Sequence, residues 1–264
     1  SSVSKRMIYR NMGKHMKVDK NLPDLDYTHQ AYQRYVKKFL RCVKGVDDNI
    51  QRVLDYLDKS GQLENTIIIY TGDQGFFLGE HDFIDKRWMY DESMRMPFIV
   101  HYPKSIEPGS INRWMIGNVD FAPTMLELAG AKTPDYMQGR SFAAAIRGED
   151  QPPDWPTATY YRYWMHMAHG HNNPAHFGIR TSNYKLIFFY GTDYTNYRGL
   201  EKKHITNLGG NRYNHDTPAA WELYDLSKDP GEMKNVYNDP KYADVVVKLK
   251  SQLQQMREEI DETD

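Results

Sequence analysis

Cysteine is nearly absent: Cys42 is the only one in 264 residues. That excludes an intrachain disulfide and a thiolate zinc site, and it leaves the redox compartment open. Cys42 lies inside a helical pattern, where it is expected to pack as a small apolar residue. A surplus of charge is also missing. Lys+Arg 34 against Asp+Glu 35 gives a net charge of −1, so no long-range field draws the chain to nucleic acid or to an anionic membrane. No run approaches the roughly 20 apolar residues that span a bilayer. The opening stretch, "SSVSKRMIYRNMGKHMK", is basic but lacks the apolar core of a signal peptide. With no initiator Met and no start element, it leads us to expect further sequence upstream. No internal repeat is visible.

What is present is a chain able to build a core, with 40% hydrophobic residues, Tyr 20 and Trp 5. Apolar residues from Tyr32 to Leu57 recur at helical spacing, and Gly61 is placed to end that helix over Thr28–Ser60. "NTIIIYTGD" then reads as a short strand, Thr66–Tyr70, buried on both faces. A long helix followed by a buried strand is half of a crossover unit, so an α/β fold with a parallel or mixed sheet is expected. "PFIVH" at 97–101 is the next strand, and Asp120 with Pro123 opens a helix that Gly130 closes. The composition changes around "RGEDQPPDWP", which puts a domain boundary near Pro152–Pro156. Beyond it, "TATYYRYW", "HFGIRTSNYKLIFFY" with a turn at Ser182–Asn183, and "WELYDL" predict an antiparallel sheet. Residues 200–217 read as loop, and a last helix runs from about Pro240 to Ile260.

The chemistry concentrates in "IIIYTGDQGFFLGEHDFIDKRWMYDESMRMPFIVHYP", Ile67–Pro103. In open α/β sheets ligands lie beyond the carboxyl ends of strands, which is where "TGDQG" falls. Asp73 offers a hard carboxylate and Gln74 a neutral carbonyl oxygen, a pair suited to Ca²⁺ or Mg²⁺ rather than zinc. The same two residues could instead cap a turn. Acids, His81 and Lys86 are interleaved with Phe76, Phe77, Phe83 and Trp88, as in a half-buried loop folded over a pocket. Lys86 then reads either as an ammonium aimed at an anion or as a surface lysine paired with Asp85. His166, His169, His171 and His176 lie within eleven residues, but with no carboxylate or cysteine among them they make a weak metal motif.

The order "TGDQG…LGEH…K…ESMRMP" resembles the C-terminal metal-and-substrate motif of the sulfatase family, which has the alkaline-phosphatase-like α/β fold. "NVDFAPTMLELAG", "GRSFAAAIRG" and "WELYDLSKDPGEMKNVYNDP" are similar to family segments in the family's order, and the likeness is strongest to bacterial arylsulfatase- or iduronate-sulfatase-like members. The resemblance implies residues 1–152 as the C-terminal portion of the α/β catalytic domain and 153–264 as a smaller domain of antiparallel sheet and helix. It implies Asp73 and Gln74 as calcium ligands, Lys86 as the sulfate contact, and His81 in a supporting or substrate-side role. Tyr161, Arg162, His166 and His169 would face a sulfated sugar, while Arg180 and Lys185 on the hairpin read as structural. The activity implied is hydrolysis of a sulfate ester, on a sulfated carbohydrate or an aryl sulfate, with a formylglycine nucleophile.

The departure from the family is large. Formylglycine is made within Cys/Ser-x-Pro-x-Arg, and neither "RCVKGV" nor any serine here fits that pattern. The family's first pair of metal-binding aspartates is absent as well. The chain therefore reads as the C-terminal half of such an enzyme, inactive alone, with the missing N-terminal half as its partner. Two alternatives stand: a phosphodiesterase or phosphonate monoester hydrolase of the same superfamily, and a non-catalytic remnant that binds sulfated glycans. Relatives of this kind are mostly exported, which implies a periplasmic or secreted location.

Overall fold

The computed structural model describes residues 16–167, 173–191 and 217–262. They form two compact units. One runs up to Lys86 and includes Arg95–Pro108; the other comprises Arg87–Met94 and everything from Gly109 onward. Residues 109–152 thus share a unit with the sheet beyond Pro152.

The first unit is led by helix α1, Asp24–Lys59. Asp24 and Asp26 in its first turn and Lys59 in its last complement the helix dipole. Beyond the end, Gly61 at φ 69° lets the Gln62 N–H reach back to the Leu57 carbonyl at 2.8 Å. Only the N-terminal end of α1 is buried, where Tyr27 and Ala31 pack with Val18. Strand β1, Ile68–Thr71, follows. The short strands β2, Phe77–Leu78, and β3, Ile84–Asp85, pair as a hairpin. After helix α2, Asp91–Met94, which belongs to the second unit, comes β4, Phe98–His101. β1 pairs antiparallel with β4, Tyr70 opposite Ile99.

The antiparallel pair is compatible with the expected mixed sheet, and no parallel neighbour of β1 lies among the described residues. Two expectations of burial fail. β1 is not buried: Tyr70 is 40% exposed and no residue of the strand is fully covered. Cys42, expected to pack inside, is exposed on α1.

The second unit holds helix α3, Phe121–Leu128, and the short α4, Ala143–Ile146. Asp120 organises this region by accepting from the Gly117 N–H and the Arg140 N–H, each at 2.8 Å. The main body is an antiparallel sheet of β5, Ala158–Tyr163, β6, His176–Thr181, β7, Tyr184–Phe189, and β8, Ala220–Asp225, in that order. Side chains alternate between its faces. One face carries Phe177, Ile179, Leu186 and Leu223, which bury against Leu249 and Leu253 of helix α5, Ala243–Glu259. The other carries His176, Gly178, Lys185 and Phe189 and meets the segment Arg87–Met94, with Trp88 against His176 and Phe189.

Gly178 is what lets that segment approach. A Cβ there would stand 2.3 Å from the Leu186 carbonyl oxygen and 2.6 Å from Met89 Sδ. Overpacking of this kind costs about 1–3 kcal/mol, and because one obstacle is backbone, Gly178→Ala is expected at the upper end, read as a lowered urea midpoint. A neutral substitution would show that β6 and Met89 can separate freely.

Candidate functional site

The site grows out of β1. Its last residue, Thr71, is followed by Gly72, and then Asp73 and Gln74 emerge where the strand stops. The Asp73 side chain is 88% exposed, and Lys86 Nζ stands 3.6 Å from its Oδ2, with the lysine side chain 32% exposed. Lys86 thus faces Asp73, the residue the resemblance makes a cation ligand. An acid and an ammonium at that separation define one polar spot, able to hold a cation through Asp73 and an anion through Lys86 at the same time.

What brings Lys86 there is the β2–β3 hairpin. Phe77 is fully buried and packs on Phe83 at 5.6 Å between ring centres and edge-on to His81 at 6.0 Å. Phe76 stacks on Phe39 of α1 at 5.8 Å. Near the tip, the Leu78 N–H donates to Glu80 Oε2 at 2.6 Å. The aromatic residues interleaved with the charges are thus the anchors of the loop, as their pattern implied. The backbone between those anchors is strained. His81, Asp82, Asp85 and Arg87 all have positive φ, at 50°, 64°, 72° and 95°. Non-glycine residues in that region cost of order 1 kcal/mol or more and persist where the surroundings impose them, often at functional sites. Tyr35, on α1, has its phenol pushed up to about 12 by burial and by the nearby Asp85 and Glu80 carboxylates.

A divalent cation is tested against these donors. Asp73 and Gln74 supply two hard oxygens side by side, the right type for Ca²⁺ or Mg²⁺. They are too few to enclose one, and no group of three or more His, Cys, Asp or Glu side chains able to hold a metal occurs among the described residues. The residues fit part of a cation site.

The second unit positions the other expected residues differently. Arg162 was expected to face substrate, but it lies on the α5 face of the sheet, opposite Phe177 in the register. Its side chain is 3% exposed, ion-paired with Glu262 and stacked on Trp164 with 3.5 Å to the ring centre. Strand alternation is the reason: Tyr161 and Tyr163 point to one face, so Arg162 must point to the other. His166 is buried, and its Nδ1 accepts from the Ala175 N–H at 3.1 Å. His169 and His171 lie outside the described residues.

Two features were not read from the sequence. The first is a buried charge network around Asp91. Lys185 Nζ is 2.6 Å from Asp91 Oδ1 and 2.7 Å from Glu232 Oε1, Arg180 Nη2 is 3.1 Å from Asp91 Oδ2, and Glu232 Oε2 accepts from the Asp91 N–H at 2.6 Å. Burial opposes the Asp91 carboxylate, but Lys185 and Arg180 outweigh it and hold its pKa near 2. Burial raises that of Glu232 in spite of Lys185. Arg180 and Lys185 are therefore structural, as the sequence suggested. The second is the pinning of the residues just after Lys86. The Arg87 N–H donates to Ser93 Oγ at 2.9 Å, and the Arg87 carbonyl accepts from Asn173 Nδ2 at 3.1 Å.

The chain is similar to known proteins along most of its length. It matches the family model described as N-sulphoglucosamine sulphohydrolase, C-terminal, over residues 79–207 and 210–259, and the model described as Sulfatase over residues 6–131. Over 229 residues it is 42% identical to an N-acetylglucosamine-6-O-sulfatase of Bacteroides thetaiotaomicron, a match covering 86% of this chain and 36% of that protein. An ulvan-active sulfatase of Formosa agariphila is 27% identical over 240 residues, 88% of this chain and 39% of that protein. Among solved structures, a protein in complex with its substrate D-glucosamine-2-N,6-O-disulfate superimposes with a TM-score of 0.77 and 39% identity, covering 93% of this chain and 44% of that one. A phosphonate monoester hydrolase from Silicibacter pomeroyi, with a TM-score of 0.67 and 24% identity, is alike in fold alone. The chain thus spans less than half the length of each of these relatives.

Proposed function

Because the chain belongs to the sulfatase family, we propose that it supplies one wall of the active site of a sulfuric ester hydrolase acting on a sulfated carbohydrate. A sulfated glucosamine is the substrate we favour over an aryl sulfate, since the 42% identical relative is named for one. The observation that carries the reading is the placement of Asp73 and Gln74 at the end of β1 with Lys86 Nζ 3.6 Å from Asp73. In this reading Asp73 and Gln74 hold a Ca²⁺ or Mg²⁺ ion together with ligands from another part of the domain. When bound, such an ion supplies positive charge for the oxygens of the sulfate group. Lys86 offers its ammonium to a sulfate oxygen, where a fixed cation stabilises charge that grows in the transition state. His81, at the tip of the β2–β3 hairpin, lines the substrate side. The formylglycine nucleophile belongs to the part of the domain that this chain does not carry.

The reading keeps residues 1–152 as a portion of the catalytic domain and 153–264 as its C-terminal subdomain. It also makes the enzyme periplasmic or secreted; no helix among the described residues is long and apolar enough to cross a membrane. The phosphonate hydrolase alternative rests on likeness of fold alone, and the sulfatase reading is preferred for that reason.

The test has two arms. The 264-residue chain alone is expected to show no release of sulfate from N-acetylglucosamine-6-sulfate. Combined with the nucleophile-bearing part of the domain it is expected to turn over, with Lys86→Ala lowering kcat/KM at least about tenfold. Turnover by the isolated chain would refute the division of labour, and an unaffected Lys86→Ala enzyme would refute the sulfate contact. Calcium titration of the isolated chain gives a separate check: weak binding that Asp73→Ala abolishes. Tight binding that survives this substitution would remove Asp73 and Gln74 from the cation site.

A further inference from the structure

Lys86 sits between two residues whose backbone is in a region that side chains disfavour. Asp85 before it has φ 72° and Arg87 after it has φ 95°. Glycine would adopt either at little steric cost, and neither position carries one. Strain of this kind persists only where the surroundings impose it. For Asp85 that surrounding is the hairpin, where it pairs with Phe77. For Arg87 it is a clamp made of two side chains. The Arg87 N–H donates to Ser93 Oγ at 2.9 Å, and the Arg87 carbonyl accepts from Asn173 Nδ2 at 3.1 Å. Ser93 and Asn173 are both fully buried. Each is in turn held by its own neighbours. The Ser93 N–H donates to the Tyr90 carbonyl at 3.0 Å, within the helix α2 whose first residue, Asp91, is bound by Lys185 and Arg180. The Asn173 carbonyl accepts from the Met167 N–H at 2.8 Å.

We propose that Ser93 and Asn173 are positioning residues for Lys86: by gripping Arg87 through both its N–H and its carbonyl, they aim the Lys86 ammonium at the sulfate group. The Arg87 N–H and the Lys86 carbonyl belong to one planar peptide unit. Holding that N–H on Ser93 therefore fixes the ψ angle of Lys86, and with it the direction in which the side chain leaves the backbone. This matters because a lysine ammonium is a point charge on a flexible four-carbon stem, so its aim depends on where the backbone starts it. One hydrogen bond alone would let the Arg87 backbone turn toward the commoner negative φ. With both peptide groups held, that rotation must break a buried hydrogen bond and leave a buried polar group unsatisfied. Ser93 and Asn173 act through Lys86, without a contact of their own to the substrate. The inference rests on the proposed sulfate contact of Lys86 and adds the residues that keep that contact in place.

The test uses Ser93→Ala, which removes the acceptor, and Asn173→Asp, which keeps the shape and replaces the donor by a carboxylate oxygen. Ser93→Ala alone carries the test if the introduced charge prevents folding. The first arm is NMR on the full 264-residue chain. The Arg87 amide is expected to exchange slowly in wild type and at least about tenfold faster in either variant. With the lysine amines carbon-13 dimethylated, the Lys86 signal, assigned with Lys86→Arg, should move when Asp73→Asn is introduced, since the two groups lie 3.6 Å apart. In the clamp variants that response should be lost. The second arm measures sulfate release from N-acetylglucosamine-6-sulfate by the chain combined with the nucleophile-bearing part of the domain. Each clamp variant is expected to lower kcat/KM about 10–100-fold, the scale of a misplaced catalytic group. The losses should not add to that of Lys86→Ala: each double variant should fall within about twofold of Lys86→Ala alone, as for residues acting through one another. A residue that only supports the fold would add its own loss. Fast exchange of the Arg87 amide in wild type overturns the proposal. So does a Lys86 signal that still answers to Asp73→Asn in the variants, an unchanged kcat/KM, or losses that add. No turnover by the wild-type mixture counts against the sulfatase reading instead, and the NMR arm then still decides whether the clamp sets Lys86.

Discussion

Replacing Lys185 by Met is expected to destabilise the second unit by about 3–5 kcal/mol, the usual cost of removing one partner from a buried ion pair. Lys185 is fully buried and divides its ammonium between Asp91 Oδ1 at 2.6 Å and Glu232 Oε1 at 2.7 Å. Without it Asp91 keeps Arg180, at 3.1 Å. Among the described residues Glu232 keeps only the Asp91 N–H, and it then faces the Asp91 carboxylate without the Lys185 ammonium between them. Burial already raises the Glu232 pKa, and loss of Lys185 must raise it further. A carboxyl whose folded-state pKa lies above its unfolded value binds more protons when folded, so the variant regains stability as pH falls toward that pKa. The gap between wild type and Lys185→Met should therefore narrow between pH 7 and pH 5 in urea titrations followed by tryptophan fluorescence. Adding Glu232→Leu should recover most of the loss at pH 7, because the uncompensated buried charge is then gone. A single variant within about 1 kcal/mol of wild type, or a double variant worse than the single, would mean that water reaches the network and that Lys185 is not a buried partner.

This network marks where the sequence stopped being readable. The hairpin itself was legible: Ser182–Asn183 sits between alternating runs, and the turn sets Arg180 opposite Lys185, as found. Like charges facing each other across strands repel, so an acid had to lie over them. Nothing in the spacing says it is Asp91, nearly a hundred residues away, with Glu232 on a third segment. The α1 stripe and the α5 stripe were both legible from their helical period, but among the described residues only α5 is buried along its length, while α1 is buried near its start. β1 was read as buried because its run of isoleucines is what a two-sided strand requires. The residues asked for burial, and the covering layer is not among those described. The β2–β3 hairpin escaped because strands of two residues show no period. The exclusion of Arg162 from the substrate side was, in contrast, available in advance: Tyr161 and Arg162 are neighbours on a strand and cannot share a face.

Burial of His176 is expected to make the second unit acid-labile well above the range in which carboxylates titrate. The ring is fully buried among Trp88, Tyr161, Tyr163 and Phe189, with centroid distances from 5.1 to 6.3 Å. Its Nδ1 lies 2.8 Å from the Pro174 carbonyl, which requires the proton there and leaves Nε2 bare, without a hydrogen-bond partner among the described residues. A second proton would put a cation among aromatic rings away from water. Burial therefore lowers the pKa from 6.5 to about 4, against the smaller raising effect of the Pro174 carbonyl. With the folded-state value below the unfolded one, the unfolded chain binds more protons between those limits, so stability falls as pH drops from 6.5 toward 4. The full window is worth about 3 kcal/mol, and about 2.5 kcal/mol is lost by pH ~4.5. Glu222 and Glu232, whose pKa values burial raises, act with the opposite sign, so the wild-type profile alone does not isolate the effect. The difference from His176→Phe does. That ring suits the aromatic surroundings, cannot titrate, and leaves the Pro174 carbonyl without its donor at every pH, a constant cost of about 1 kcal/mol or more. The stability of wild type relative to His176→Phe should fall by about 2.5 kcal/mol between pH ~7 and ~4.5. Nitrogen-15 NMR of labelled histidine provides the independent check, since Nε2 of His176 should stay unprotonated at pH ~5, where an exposed imidazole is charged. A difference that does not change with pH, or a His176 resonance titrating near the ordinary value, would show that the ring box opens to water and that burial does not set the charge of this histidine.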